Sequence, residues 1–206
     1  VSNHPPFEFP DGRIDLHGKP KNTHDNAVRY ADYALGKFFD QARMSPYWDR
    51  TVFLVVADHV DGTTKDKVAL VKQFHIPALI IGADVRPGRY DKVASQIDLP
   101  PTLLSIMGIE TNHPMLGNDL LQTPESYPGR AIMHTNQQIY MVGDQVVVHT
   151  PNKPPTQYIF RNSKLEPIQE QPELIRDALA HALWPIIAYR KRQYRLDEGS
   201  IARWTP

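Results

Sequence analysis

The spacing of apolar positions changes several times along the chain, and each change predicts an element. Between Asn26 and Met44, the residues Val28, Ala31, Leu35, Phe38 and Ala42 recur at helical spacing, which predicts an amphipathic helix with that face toward a core. Thr23 or Asp25 is placed to cap it, and Tyr30, Tyr33 and Phe39 widen the stripe as packing residues. Thr51 to Ala57 is a continuous apolar, β-branched run, the pattern of a strand buried inside a sheet. Pro77 to Gly82 predicts a second strand of the same sheet. Ser95 followed by Asp98 marks a helix start, with the serine capping and the carboxylate near the positive helix terminus. Asp98 therefore reads as structural rather than catalytic. Pro100 and Pro101 suit the first turn, Leu103, Leu104, Ile106 and Met107 the buried face, and Gly108 the end.

From Arg130 the period shortens. Ala131 to Met133, Gln138 to Val142, Gln145 to Val148 and Gln157 to Phe160 read as short strands, and Gly143-Asp144 as the turn of a hairpin. Pro151 to Pro155 is a turn. Pro172 then opens a helix expected to run to Arg195, with Leu174, Ile175, Leu179, Leu183 and Ile187 inward and a bend at Pro185. These elements predict an α/β fold, a mixed sheet flanked by helices, followed by a small antiparallel sheet and a long terminal helix. The expected organisation is a first part over 1–125 and a second, sheet plus helix, over 126–206.

A chain of 206 residues has room for one sizeable α/β domain. Its 23 basic and 23 acidic side chains balance, so no general field directs it to nucleic acid or to an acidic surface, and binding must come from a local site. The absence of cysteine removes disulfides, thiol catalysis and thiolate metal sites together. No run has the apolar length of a bilayer-spanning helix.

Candidate chemistry concentrates at Asp58-His59, directly after the first strand. Open α/β sheets bind ligands at the carboxyl ends of their strands, and a carboxylate beside an imidazole can hold a divalent metal. A polar turn after a strand is the plainer alternative. Asp61 to Lys67 reads as a polar loop beside the pair. His4 lies in an N-terminal stretch rich in proline, and His75 opens the second strand. His75 is either a substrate contact or supporting partner of the site, or a buried histidine bonded to backbone. Lys65, Lys67 and Lys72 follow the pair in sequence. His17, His24, His113, His134, His149 and His181 show no metal-site spacing and read as surface or structural residues. Arg190, Lys191, Arg192 and Arg195 read as a solvated helix end complementing the helix dipole, with a lipid-phosphate patch as the alternative.

Several segments occur in a telling order: Ser2-Asn3-His4-Pro5-Pro6-Phe7, the helix, the strand ending in Asp58-His59, His75 to Ile81, Ser95 to Leu104, and Pro114-Met115-Leu116-Gly117. This order resembles the C-terminal part of the catalytic domain of lipoteichoic acid synthase-like phosphoglycerol transferases. Those enzymes belong to the sulfatase branch of the alkaline phosphatase superfamily. The resemblance is closest over 2–121. It implies that Asp58 and His59 bind a divalent metal, manganese favoured, with magnesium or zinc possible, and that His4 contacts the phosphoglycerol head group. It also implies a nucleophile and an acidic ligand upstream of Val1, so that this chain carries half of an active site, inactive alone. The implied partners are a lipid-linked glycerol phosphate donor, a glycan or polyglycerolphosphate acceptor and the N-terminal half of the same domain. The implied location is the cell membrane, anchored by segments outside this chain, with the domain on the extracytoplasmic side. A sulfatase or phosphoethanolamine transferase of the same fold, or a non-catalytic sensor or binding domain, are the alternative functions. The lysine motif by which sulfatases bind substrate has no match here, which counts against sulfate ester hydrolysis.

Overall fold

A computed structural model describes residues 2–60 and 71–195. The described residues divide into two units, one within Val1–Phe53 and Ile81–Asp84, the other within Leu54–Ile80 and Val85–Pro206.

The first unit is built on helix α1, His24–Arg43, whose N-cap is Thr23. Asn26 is buried and acts as a clamp: its Oδ1 accepts from the His17 N–H at 2.7 Å, and its Nδ2 donates to the Gly18, Pro20 and Lys21 carbonyls. That satisfies backbone acceptors in a proline-rich loop that forms no regular ladder of its own. Ala42 is buried as expected and Ala27 is buried beside the expected stripe, but Val28, Leu35 and Phe38 of that stripe are exposed. Packing is aromatic instead. Tyr30 stacks on Phe9 at 5.1 Å, and Phe53 gathers Phe38, Phe39, Tyr47 and Trp48 around one ring.

The strand ending at the Asp58-His59 pair is β1, Phe53–Val56, joined to β2, Ala78–Ile81, as a two-stranded sheet. Among the described residues this sheet has two strands; Phe53, Leu54 and Val55 are half-buried in it, while Val56 and Leu79 are exposed. Past the end of β1, the Ala57 N–H donates to the Pro77 carbonyl at 3.3 Å, so the carboxyl end of β1 lies against the amino end of β2.

Within the second unit a 3₁₀ turn at Gln96–Asp98 runs into helix α2, Leu99–Ile106. Ser95 and Asp98 form a reciprocal capping box, each side chain accepting from the other's backbone. Asp98 is fully buried, and its carboxylate accepts from the Ser95 N–H at 2.8 Å and the Asn118 N–H at 2.7 Å. Thr102, on α2, donates to the Asp98 carbonyl and accepts from the Leu120 N–H at 3.0 Å. The segment containing Met115-Leu116-Gly117 is thereby laced onto the turn. Its glycine is required by contact: a Cβ on Gly117 would stand 1.8 Å from the Ile97 carbonyl oxygen. Gly117→Ala is expected to lower stability by about 3 kcal/mol, because backbone rather than a movable side chain is in the way. A thermal melt unchanged from the parent would refute this.

The remainder is a five-stranded antiparallel meander: β3 Arg130–His134, β4 Gln138–Val142, β5 Gln145–His149, β6 Thr156–Arg161 and β7 Lys164–Pro167. Gly143-Asp144 turns β4 into β5 with φ +57° at Gly143, placing Val142 opposite Gln145. Period-two alternation splits the side chains. Met133, Ile139, Met141, Val146 and Val148 pack on one face with Val71, Phe74 and Val93. Tyr140 and Val147 pack on the other against Leu174, Ile175 and Ala178 of helix α3, Pro172–Arg190. β7 was not expected from the sequence; a two-residue turn at Asn162-Ser163, both at positive φ, returns the chain to form it.

Leu174 and Ile175 of helix α3 pack inward as its apolar periodicity predicts, but the rest of that stripe does not. Leu179, Leu183 and Ile187 are exposed, and the helix ends at Arg190 rather than Arg195, with Pro185 inside it. The cause is polar. The Arg130 guanidinium hydrogen-bonds His181 Nε2 at 2.6 Å, His181 Nδ1 pairs with the Asp177 carbonyl, and the imidazole lies 4.9 Å from the Tyr140 ring. Leu174, Ile175, Ala178 and His181 therefore form the inward stripe. Arg130 also donates to the Leu116 carbonyl at 2.9 Å. Burial raises the Tyr127 and Tyr140 phenols above the usual 10.0, against the lowering influence of Arg130. The neutral phenols thus stabilise the fold fully below the ordinary tyrosine pKa, and this contribution is lost as pH rises through the raised folded values. Ultraviolet titration is expected to show two late-ionising phenols, with Tyr140→Phe removing one.

Candidate active site

Asp58 and His59 follow β1 at the edge formed with the start of β2, where the last strand hydrogen bond, from Ala57 to Pro77, holds the backbone. Both side chains are mostly exposed, 86% for Asp58 and 66% for His59. Local hydrogen bonds set their directions. Asp58 Oδ1 accepts from the His59 N–H at 2.9 Å, and His59 Nδ1 lies 2.8 Å from the Val60 carbonyl. A carbonyl only accepts, so Nδ1 carries the proton and the Nε2 lone pair is left for a ligand. Asp58 Oδ2 is 3.5 Å from His59 Nε2, a separation at which both reach one ion at about 2.1 Å. The remaining ligand atoms of the pair thus converge, and a carboxylate oxygen beside an imidazole nitrogen is a donor set that suits a divalent cation. Among the described residues no third His, Asp or Glu joins them as a metal-holding group.

Gln96 completes the local geometry. Its Nε2 donates to the Ala57 carbonyl at 2.9 Å and the Asp58 carbonyl at 3.2 Å, tying the loop after β1 to the turn whose carboxylate anchor is Asp98. Reasoning from sequence missed it. The available signal was its place beside Ser95 in a segment already singled out, but an exposed glutamine carries no periodicity that points to a partner 38 positions away.

The other candidates are dispersed. His75 caps a 3₁₀ turn at Lys72–Phe74, its N–H donating to the Lys72 carbonyl at 3.2 Å, and its side chain is exposed; the buried alternative is corrected. It precedes Pro77, on the edge that carries Asp58 and His59. Lys72 is exposed, whereas Lys65, Lys67 and the polar loop after the pair lie outside the described residues. His4 belongs to the first unit, exposed in a turn closed by the Phe7 N–H on the His4 carbonyl at 2.7 Å.

A sequence model of the family described as Sulfatase matches residues 1–109, more than half of the chain. The chain belongs to the sulfatase family. Lipoteichoic acid synthase of Staphylococcus saprophyticus is 25% identical over 199 residues, covering 84% of this chain and 28% of that protein. Lipoteichoic acid synthase 2 of Bacillus subtilis is 24% identical over 141 residues, covering 59% of this chain and 22% of that protein. Among solved structures, a protein in the alkaline phosphatase superfamily from Vibrio parahaemolyticus is 40% identical with TM-score 0.87, over 96% of this chain and 49% of its own. The α/β architecture is that of this superfamily. The fold is shared more distantly with Psi-CgsB, 14% identical at TM-score 0.53. This chain thus spans about half of the Vibrio structure and about a quarter of the two synthases. Sulfatase-family membership places it in a family of transferases and hydrolases whose members typically use divalent metals.

Proposed function

We propose that this chain is part of a metal-dependent phosphoglycerol transferase, working at the outer side of the cytoplasmic membrane on a lipid-linked glycerol phosphate. The acceptor in this reading is a glycan or a growing polyglycerolphosphate chain. The observation that supports it most is the convergence of Asp58 Oδ2 and His59 Nε2 at 3.5 Å, with Nδ1 committed elsewhere. The modest similarity to lipoteichoic acid synthases adds the choice of substrate class.

Transfer of a phosphoryl-type group through an enzyme hydroxyl requires an activated nucleophile, stabilised phosphate oxygens and a protonated leaving alcohol. A divalent ion, manganese in the favoured assignment, would supply the first two by lowering the hydroxyl's pKa and withdrawing charge from the phosphate. Asp58 and His59 would hold it, and Gln96 keeps their backbone in place. His4 is assigned to the head-group phosphate, where an imidazolium donates a hydrogen bond or returns a proton to glycerol. His75, in the turn two residues before Pro77, is assigned a weaker substrate contact.

A manganese titration tests the assignment directly. Two protein ligands make a weak site, since tight ones use three or four with supporting contacts. The expected result for this chain is weak binding, abolished by Asp58→Ala. Tight one-to-one binding that survives Asp58→Ala would overturn the reading.

A further inference from the structure

The outward face of α3 is apolar where a solvated helix would be polar. Opposite the stripe that docks on the sheet, Leu179, Leu183, Ile186 and Ile187 recur at i, i+4, i+7 and i+8, and are 44%, 44%, 49% and 39% exposed. Trp184, Tyr189 and Tyr194 are exposed around this stripe. The charge pattern is one-sided. From Ala178 to Arg195 the chain has no Asp or Glu, while Arg190, Lys191, Arg192 and Arg195 follow directly on the apolar face, all exposed. Complementing the helix dipole accounts for one or two cations in the last turn, and it accounts for none of the apolar stripe.

We propose that the C-terminal half of α3, with the basic segment after it, lies on an anionic lipid surface. The chemistry of the face matches each layer of such a surface. Leucine and isoleucine side chains enter the boundary of the acyl chains, the aromatic residues sit at head-group level, and the four cations meet lipid phosphates. A purely protein partner would have to bury the same stripe while neutralising a block of cations that finds no ion pair among the described residues. No described helix is long and apolar enough to cross a membrane, so α3 lies along the surface. The helix is already fixed to the sheet by the Arg130–His181 hydrogen bond, so docking pays little ordering entropy. The proposal deepens the reading of a lipid-linked donor, yet it rests on residues remote in sequence from Asp58 and His59 and needs no metal.

Flotation of the purified chain with phosphatidylcholine vesicles, with and without phosphatidylglycerol, tests it in the presence of a metal chelator. The expected result is flotation with the anionic vesicles only, weakening as salt is raised. Reversing two cations, Arg190→Glu with Arg192→Glu, is expected to lower binding about twentyfold or more. Leu183→Asn with Ile187→Asn should reduce binding similarly, with circular dichroism unchanged because these positions are exposed. Absence of flotation, or flotation unaffected by either pair, would overturn the proposal. So would a dimer of the chain, seen by sedimentation, that the Leu183/Ile187 pair dissociates, since the stripe would then be covered by a second copy. Failure of flotation leaves the manganese result standing, and a failed manganese titration leaves flotation standing, so the two readings fall separately.

Discussion

Asp98→Ala is expected to lower stability by about 3 to 5 kcal/mol, more than any substitution at the exposed pair. The carboxylate is fully buried and accepts from two backbone N–H groups, Ser95 at 2.8 Å and Asn118 at 2.7 Å, that lose this acceptor once it is removed. Leaving a buried donor unpaired costs about 1 to 3 kcal/mol, and two are left here. Asp98→Asn keeps one accepting oxygen and should fall between, because one contact survives without its charge. The damage should also reach the candidate site. Gln96, in the same turn, holds the Ala57 and Asp58 carbonyls, so loosening the turn loosens the Asp58-His59 loop. Denaturant unfolding measures the first effect. A loss no larger than that of exposed Asp84→Ala would show that the network is not what holds this turn.

The sequence made this network legible in part. Ser95 and Asp98 at capping-box spacing identified the helix start and the structural role of the carboxylate, because capping is a local interaction written over four positions. The Asn118 and Leu120 donors were not legible, being backbone groups 20 and 18 positions from their acceptors. The same division holds elsewhere. Alternating apolar residues and Gly143-Asp144 marked the meander through β6, while β7 was missed because Lys-Leu-Glu-Pro has too little apolar character to be seen without its Asn162-Ser163 turn. Helix α3 was legible, and Leu174 and Ile175 pack inward as expected, but Leu179, Leu183 and Ile187 do not. Both faces are apolar, so periodicity cannot choose between them, and the choice is made by Arg130 and His181, residues 51 positions apart. The Asp58-His59 pair was visible because it interrupts an apolar run at the point where a strand ends. Its geometry was not, since the tautomer depends on the Val60 carbonyl.

On the proposed reading, Asp58→Asn in the full-length protein reduces phosphoglycerol transfer about a hundredfold or more and leaves the melting temperature unchanged. The substitution is close to a removal of charge alone. Asparagine keeps an oxygen able to accept the His59 N–H, the side chain is 86% exposed, and β1 packs without it. What is lost is the anionic partner of His59 Nε2 in holding a divalent ion, so metal affinity should fall in parallel with turnover. His4→Ala is expected to act differently. Its assigned partner is the phosphate of the head group, so substrate use should suffer while manganese binding persists. Measuring transfer and metal affinity on both variants of the full-length protein separates the two roles. Wild-type turnover in Asp58→Asn would remove Asp58 from the catalytic machinery and favour a domain that keeps the sulfatase fold for binding rather than for chemistry.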